Sequence, residues 1–226
     1  APYCELMKII LTGATGVVAE GVLLECLDDP RVTEVRVLGR RSVGMAHPKL
    51  AEVLHPDLMH LTPVIDRLAG CDGCFFCLGT TSLGKSKEEY RRITRDLTLH
   101  AAEMLLPRNP GMTFCYVSGA GTSTGENSRL DWANVKGGVE NALLRMGFKA
   151  VYLFRPGMIV PKRGVRSGTA WINGLLMLLG PVLVALRPVF PNSITTTVAM
   201  GRAMLNVTAN GYAKPVLESK DIEAAG

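Results

Sequence analysis

A hydroxyl, an aromatic ring and an amine are the residues of this 226-residue chain whose types and spacing most directly suggest chemistry. Tyr116-Val117-Ser118-Gly119-Ala120-Gly121 ends an apolar, strand-like run, and Trp132-Ala133-Asn134-Val135-Lys136-Gly137 opens a helical pattern. Positions 132 and 136 are four apart and share one helix face, with Ser118 placed to lie opposite them. Such a trio suits carbonyl reduction, in which a lysine lowers the pKa of a tyrosine acid. Here the aromatic is Trp132, and an indole has a donor N–H but cannot exchange a proton near neutral pH. The remaining candidates for the proton are water, Ser118 and another tyrosine such as Tyr90.

A reduction centre of this kind needs a hydride source. The first strand-like run ends in Thr12-Gly13-Ala14-Thr15-Gly16-Val17-Val18-Ala19, and a helical pattern follows at once. Gly13 permits a tight turn, Gly16 lets backbone approach a pyrophosphate, and Ala19 allows close helix packing, so the helix N-terminus faces phosphates. The second strand lacks the terminal Asp or Glu that would hold a ribose 2′-hydroxyl. It runs instead into Gly39-Arg40-Arg41-Ser42, where two guanidiniums and a hydroxyl suit a 2′-phosphate. NADP is therefore expected over NAD.

Two other motifs are set aside. Gly79-Thr80-Thr81-Ser82-Leu83-Gly84-Lys85-Ser86 matches the phosphate-binding loop of ATPases. Such an enzyme also needs an apolar strand ending in a magnesium-binding Asp, whereas the later strands end in Val117-Ser118 and Phe154-Arg155. Cys71, Cys74 and Cys77 have a metal-like spacing but no fourth thiolate nearby. Cys74 and Cys77 fall on opposite faces of one strand and read as core thiols. No metal is expected.

These groups are positioned by alternating elements. Strands are expected over 8–12, 34–38, 51–54, 73–78, 112–117 and 150–154, and helices over 17–28, 61–69, 86–106, 131–146, 169–186 and 195–208. A late short strand falls near Val216 to Leu217. This is an α/β protein with a doubly wound parallel sheet flanked by helices and a small C-terminal helical cap. Residues 1–6 read as a leader or appended remnant, 7–156 as the nucleotide-binding core, and 157–226 as a substrate or cap region completing the same domain. With 47% hydrophobic and 20% charged residues, collagen-like, disordered and disulfide-stapled classes are excluded.

The net charge of +5 is unevenly placed, because residues 141–217 hold nine Lys or Arg and no Asp or Glu. That pattern argues against a cationic nucleic-acid coat and for one region meeting an anion. Its apolar run, Trp171 to Leu186, is too short and broken to span a membrane. It is expected to close the core or a homodimer interface, or to give at most peripheral contact with an anionic lipid or acyl substrate. With no secretory signal apparent, a cytoplasmic location is expected.

Taken together, Gly13-Ala14-Thr15-Gly16, Gly39-Arg40-Arg41, Cys77-Leu78-Gly79-Thr80-Thr81, Tyr90-Arg91-Arg92-Ile93-Thr94-Arg95-Asp96, Val117-Ser118, Val135-Lys136-Gly137, Arg155-Pro156-Gly157 and Leu217-Glu218-Ser219-Lys220-Asp221-Ile222 resemble one family. It is the atypical short-chain dehydrogenase/reductases, in their Tat-interacting-protein-like branch, and the resemblance spans Met7 to Gly226. It implies a Rossmann fold binding NADP(H) through Gly13, Thr15, Gly16, Val17, Val18, Arg40 and Arg41, with adenine near Asp57 and Leu58. Nicotinamide-side contacts are implied for Leu78, Gly79, Thr80, Ser118, Lys136, Pro156, Met158 and Ile159. Of the family's catalytic Ser, Tyr and Lys, only Ser118 and Lys136 carry over, with Trp132 in the tyrosine position. The expected function is NADP-dependent oxidoreduction of a small carbonyl or hydroxyl substrate, and the alternative is an NADP(H)-sensing scaffold without chemistry.

Overall fold

The computed structural model describes residues 6–165 and 193–226. Its first strand, β1 (Met7–Thr12), is apolar on both faces: Ile9 and Leu11 point into one core and Ile10 into the other. A strand buried on both sides belongs inside a parallel sheet covered by helices. Around it run β2 (Val32–Gly39), β3 (Leu50–Leu54), β4 (Gly73–Phe76), β5 (Thr113–Val117), β6 (Ala150–Arg155) and, late in the chain, β9 (Val216–Glu218). The order is β3-β2-β1-β4-β5-β6-β9, with every neighbouring pair parallel. The chain winds outward from β1 in one direction and from β4 in the other, so a crevice opens where these two strands end.

One face packs on α1 (Val17–Asp28) and α5 (Thr197–Asn210), through Val22, Cys26, Met200 and Met204. Gly21 and Gly201 allow the two helices to touch, since a Cβ on Gly21 would lie 2.4 Å from Thr197 and one on Gly201 2.8 Å from Glu25. The opposite face packs on α3 (Leu97–Leu105) and α4 (Asp131–Arg145) through Ala101, Leu105, Val139 and Leu143. There Phe114 contacts Phe76 and Phe148, with ring centroids 5.9 and 5.0 Å away. Cys74 lies in this second core, while Cys77 packs against the first.

The expected helix over 61–69 is only a single 3-10 turn, Ile65–Leu68, because Pro63 and Gly70 leave too few residues between them. The long helix expected over 86–106 is divided into α2 (Lys87–Arg91), a π turn over Arg92–Asp96, and α3. The helix expected over 169–186 and its apolar run lie outside the described residues. Within 157–226, β7 (Met158–Val160) and β8 (Ile194–Thr196) form a small parallel pair, β9 completes the main sheet, and α6 (Ser219–Ala225) ends the chain.

Candidate active site

Where β1 and β4 end, a cleft of about 210 Å³ opens, lined among others by Gly13, Thr15, Gly16, Arg40, Arg41, Leu58, Leu78 and Gly79. Gly13 has φ +75, and a Cβ there would lie 3.0 Å from the backbone of Leu78, so both conformation and space require glycine. The Gly16 N–H donates to the Gly13 carbonyl at 2.8 Å and closes the turn. Gly16 also caps α1 without a side-chain hydrogen bond, leaving the first-turn N–H groups facing the crevice. On the other wall, Thr12 Oγ1 accepts from the Leu78 N–H at 3.2 Å and ties β4 to β1.

Arg40 and Arg41 follow β2 as exposed side chains and have no acidic partner among the described residues. Ser42, expected beside them as a third phosphate group, is engaged elsewhere: its Oγ donates to Glu52 Oε2 at 2.9 Å. Asp57 does not line the cleft. It is bound to His60 Nδ1 at 2.7 Å, and that hydrogen bond holds its carboxyl below the ordinary range. Val17, Val18 and Thr80 border the lining without belonging to it; Met158 and Ile159 lie outside it on β7, and the Pro156 carbonyl accepts from the Ala120 N–H at 2.8 Å, beside the end of β5. A backbone cradle too tight for a Cβ, a free helix N-terminus and two unpaired guanidiniums together fit a phosphate-bearing dinucleotide.

The matching phosphate-loop pattern makes no second site. Ser86 caps α2 by accepting from the Glu89 N–H at 3.1 Å, and Lys85 Nζ pairs with Glu89 Oε1 at 3.0 Å. Among the described residues no group of three or more His, Cys, Asp or Glu side chains could hold a metal ion. Burial pushes the Cys77 thiol up to about 12.

The trio of Ser118, Trp132 and Lys136 comes together at the end of β5. Lys136 Nζ donates to the Ser118 carbonyl, and the Ser118 N–H donates to the Phe154 carbonyl at 2.9 Å. Trp132 lays the far edge of its indole on Gly121, where a Cβ would come within 3.4 Å. Gly137 brings α4 against the preceding loop, because a Cβ there would lie 1.8 Å from the Ser123 carbonyl oxygen. The serine hydroxyl, however, points inward. Ser118 is only 3% exposed, and its Oγ donates to Glu140 Oε1 at 2.6 Å, with the Phe154 carbonyl at 3.2 Å. Glu140 is fully buried and also accepts from Arg155 Nε at 3.0 Å and from Arg155 Nη2.

Sequence reasoning missed Glu140, although the signal was present: it stands four residues after Lys136, one turn along the same helix face. Burial pushes the Lys136 amine down to about 8, against the pull of the Glu140 carboxylate. Burial also raises the phenols of Tyr116 and Tyr90.

The sheet order and the cleft at the ends of β1 and β4 are those of a Rossmann-like fold. No protein-family profile matches the chain. Over 165 residues it is 26% identical to mitochondrial protein fmp52 of Emericella nidulans, covering 70% of this chain and 69% of that one. It is likewise 26% identical over 167 residues to protein HTATIP2 of Rattus norvegicus, covering 73% and 68% of the two chains. A short-chain dehydrogenase family protein from Francisella tularensis superposes with a TM-score of 0.64 at 12% identity, covering 92% and 93%. The Bordetella bronchiseptica enzyme WbmH, solved with NAD+, gives 0.64 at 14% identity, covering 93% and 74%. At such identities the structures show the fold, and the relatives bear out the resemblance to the atypical branch. The expected cytoplasmic location is overturned, since the FMP52 relatives are named as mitochondrial proteins.

Proposed function

We propose that the protein binds NADP(H) in the cleft between β1 and β4 and interconverts a small carbonyl and its alcohol beside Lys136. The observation that carries this reading is the pair of unpaired guanidiniums, Arg40 and Arg41, on the lining that also holds the Gly13 turn. A planar, permanently charged fork favours a 2′-phosphate over a hydroxyl. Gly13 and Gly16 would hold the pyrophosphate, Leu58 the adenine, and Leu78 and Gly79 the inner half of the cofactor. When bound, a reduced nicotinamide supplies the hydride that the carbonyl carbon accepts. Thermal unfolding with each cofactor tests the reading, because a ligand raises the melting temperature according to its affinity. NADP+ is expected to stabilise more than NAD+, with the difference shrinking in Arg40→Ala. Equal stabilisation of the parent by both overturns the assignment of Arg40 and Arg41.

A second reading is supported by Trp132 alone. Without a tyrosine acid, NADP(H) occupancy would bias a partner interaction with no reaction taking place. Turnover of NADPH by the parent with any aldehyde, ketone or quinone excludes it.

A further inference from the structure

With Trp132 in the tyrosine position, a proton must reach the substrate oxygen from some other group. Ser118 has one hydroxyl hydrogen, donated at 2.6 Å into the fully buried Glu140 carboxylate. Its release would leave that carboxylate short of a hydrogen bond in the core. Tyr116 is 1% exposed within the core packed by α3 and α4, and Tyr90 is 5% exposed. His47, His55 and His60 lie around β3, and His100 lies in α3. None of these side chains stands free at the end of β5.

Lys136 does stand there. Its Nζ lies over the Ser118–Gly119 peptide, donating to the Ser118 carbonyl, and a Cβ on Gly119 would be 4.0 Å from it. No carboxylate pairs with it among the described residues, so two of its three hydrogens remain uncommitted. The close approach of Gly137 to Ser123 fixes the first turns of α4, and with them the origin of the lysine side chain.

We propose that Lys136 is itself the proton donor of the site, its ammonium protonating the carbonyl oxygen of the bound substrate in place of tyrosine. This rests on the carbonyl-reduction reading above. The carbonyl carbon takes hydride from the reduced dinucleotide, one N–H bond of Lys136 breaks and an O–H bond forms. The lysine is left as a neutral amine that water reprotonates. Burial, which brings the amine to about 8, lets that proton leave near neutral pH. Of the charged groups at this corner, Glu140 on α4 acts on the amine directly; Arg155 from β6 pairs with Glu140, Glu218 at the end of β9 lies 3.9 Å from Arg155, and Tyr116 on β5 feels Tyr90 of α2 and Glu140. Glu140 also serves Arg155 and Ser118, and its carboxylate offsets the burial of the lysine charge only in part.

Competitive acetylation of the dinucleotide-free protein, followed by peptide mass spectrometry across a pH series, reads Lys136 without any turnover. Half-maximal labelling is expected at about 8, and labelling at the ordinary lysine value of 10.5 overturns the proposal. NADPH oxidation is then followed with p-nitrobenzaldehyde, cyclohexanone and phenanthrenequinone. The parent is expected to turn over at least one of them, with a rate that falls as Lys136 deprotonates, and Lys136→Arg to be roughly 100-fold slower while keeping NADP+ stabilisation. Undiminished turnover in Lys136→Arg overturns the proposal. Turnover in Trp132→Tyr but not in the parent overturns it while leaving the carbonyl-reduction reading intact. Absence of turnover in both, with NADP+ bound, overturns that reading as well.

Discussion

The Ser118 hydroxyl donates to Glu140 Oε1 at 2.6 Å, so a group expected to face substrate is a member of a buried network. Glu140 in turn accepts from Arg155 of β6, and Arg155 lies 3.9 Å from Glu218 of β9. One fully buried carboxylate thus joins the end of β5, helix α4 and the last two strands of the sheet. The network holds the peptide that Lys136 contacts, and it has a structural role whether or not the site does chemistry.

Replacing Glu140 by Gln keeps its shape but leaves the Arg155 guanidinium with only the more exposed Glu218, 3.9 Å away, as counter-charge. Breaking a buried pair from one side costs about 3–5 kcal/mol. Urea unfolding of Glu140→Gln is expected to show a loss in that range, and the double substitution Glu140→Gln, Arg155→Met should recover much of it. A loss below about 1 kcal/mol would show that the pair contributes as little as a surface ion pair.

Gly137→Ala places a methyl group 1.8 Å from the Ser123 carbonyl oxygen, a distance no packing tolerates. Helix α4 or the 119–127 loop must move, and overpacking of this kind costs about 1–3 kcal/mol. Because α4 also carries Trp132 and Lys136, the substitution is expected to lower stability and change the acetylation rate of Lys136 together. If stability falls while Lys136 labels as before, the position of the lysine does not depend on this contact.

The sheet was legible because its strands are short apolar runs separated by helical patterns. The turn at Gly13 was legible because glycines at those spacings have few other uses. What the sequence did not disclose depended on partners far away in the chain. Arg155, Arg163, Arg202 and Lys214 looked like an acid-free region awaiting an external anion. In the fold they pair with Glu140, with Glu25 and Asp28, with Glu25 again, and with Asp221. Much of the basic excess of residues 141–217 is therefore complementary to carboxylates of the chain itself. Gly21 and Gly201 were equally silent, since a glycine in a helix reveals its reason only when the neighbouring helix is in place. Ser118 was legible as a site residue but not in its direction, which Glu140 sets.

Around the cleft, Ser42 and Arg40 separate two accounts of cofactor preference. The Ser42 hydroxyl is held by Glu52 Oε2 at 2.9 Å, and Glu52 also accepts from the Val43 N–H at 2.7 Å. Ser42→Ala is expected to change the NADP+ to NAD+ affinity ratio by less than about 3-fold, whereas Arg40→Ala should lower it by roughly 10-fold or more. Isothermal titration of both variants decides the matter. A larger effect from Ser42 than from Arg40 would mean that the serine leaves Glu52 when the phosphate arrives.

Lys136 also makes stability depend on pH in a definite direction. Its folded value of about 8 lies below the ordinary 10.5, so between these values the unfolded chain binds more protons than the folded one. Stability then rises with pH across that window, and below it the full penalty of burying the charge remains. At about 1.4 kcal/mol per unit, the penalty is at most roughly 3 kcal/mol, and less to the extent that water reaches the half-buried amine. Lys136→Met is therefore expected to be more stable than the parent at neutral pH, and the two should converge as the pH approaches 10.5. Urea unfolding of both proteins at the two ends of that window measures the gap. A gap that stays constant would show that the lysine titrates alike in the folded and unfolded chains, which would also remove the proton it is proposed to give.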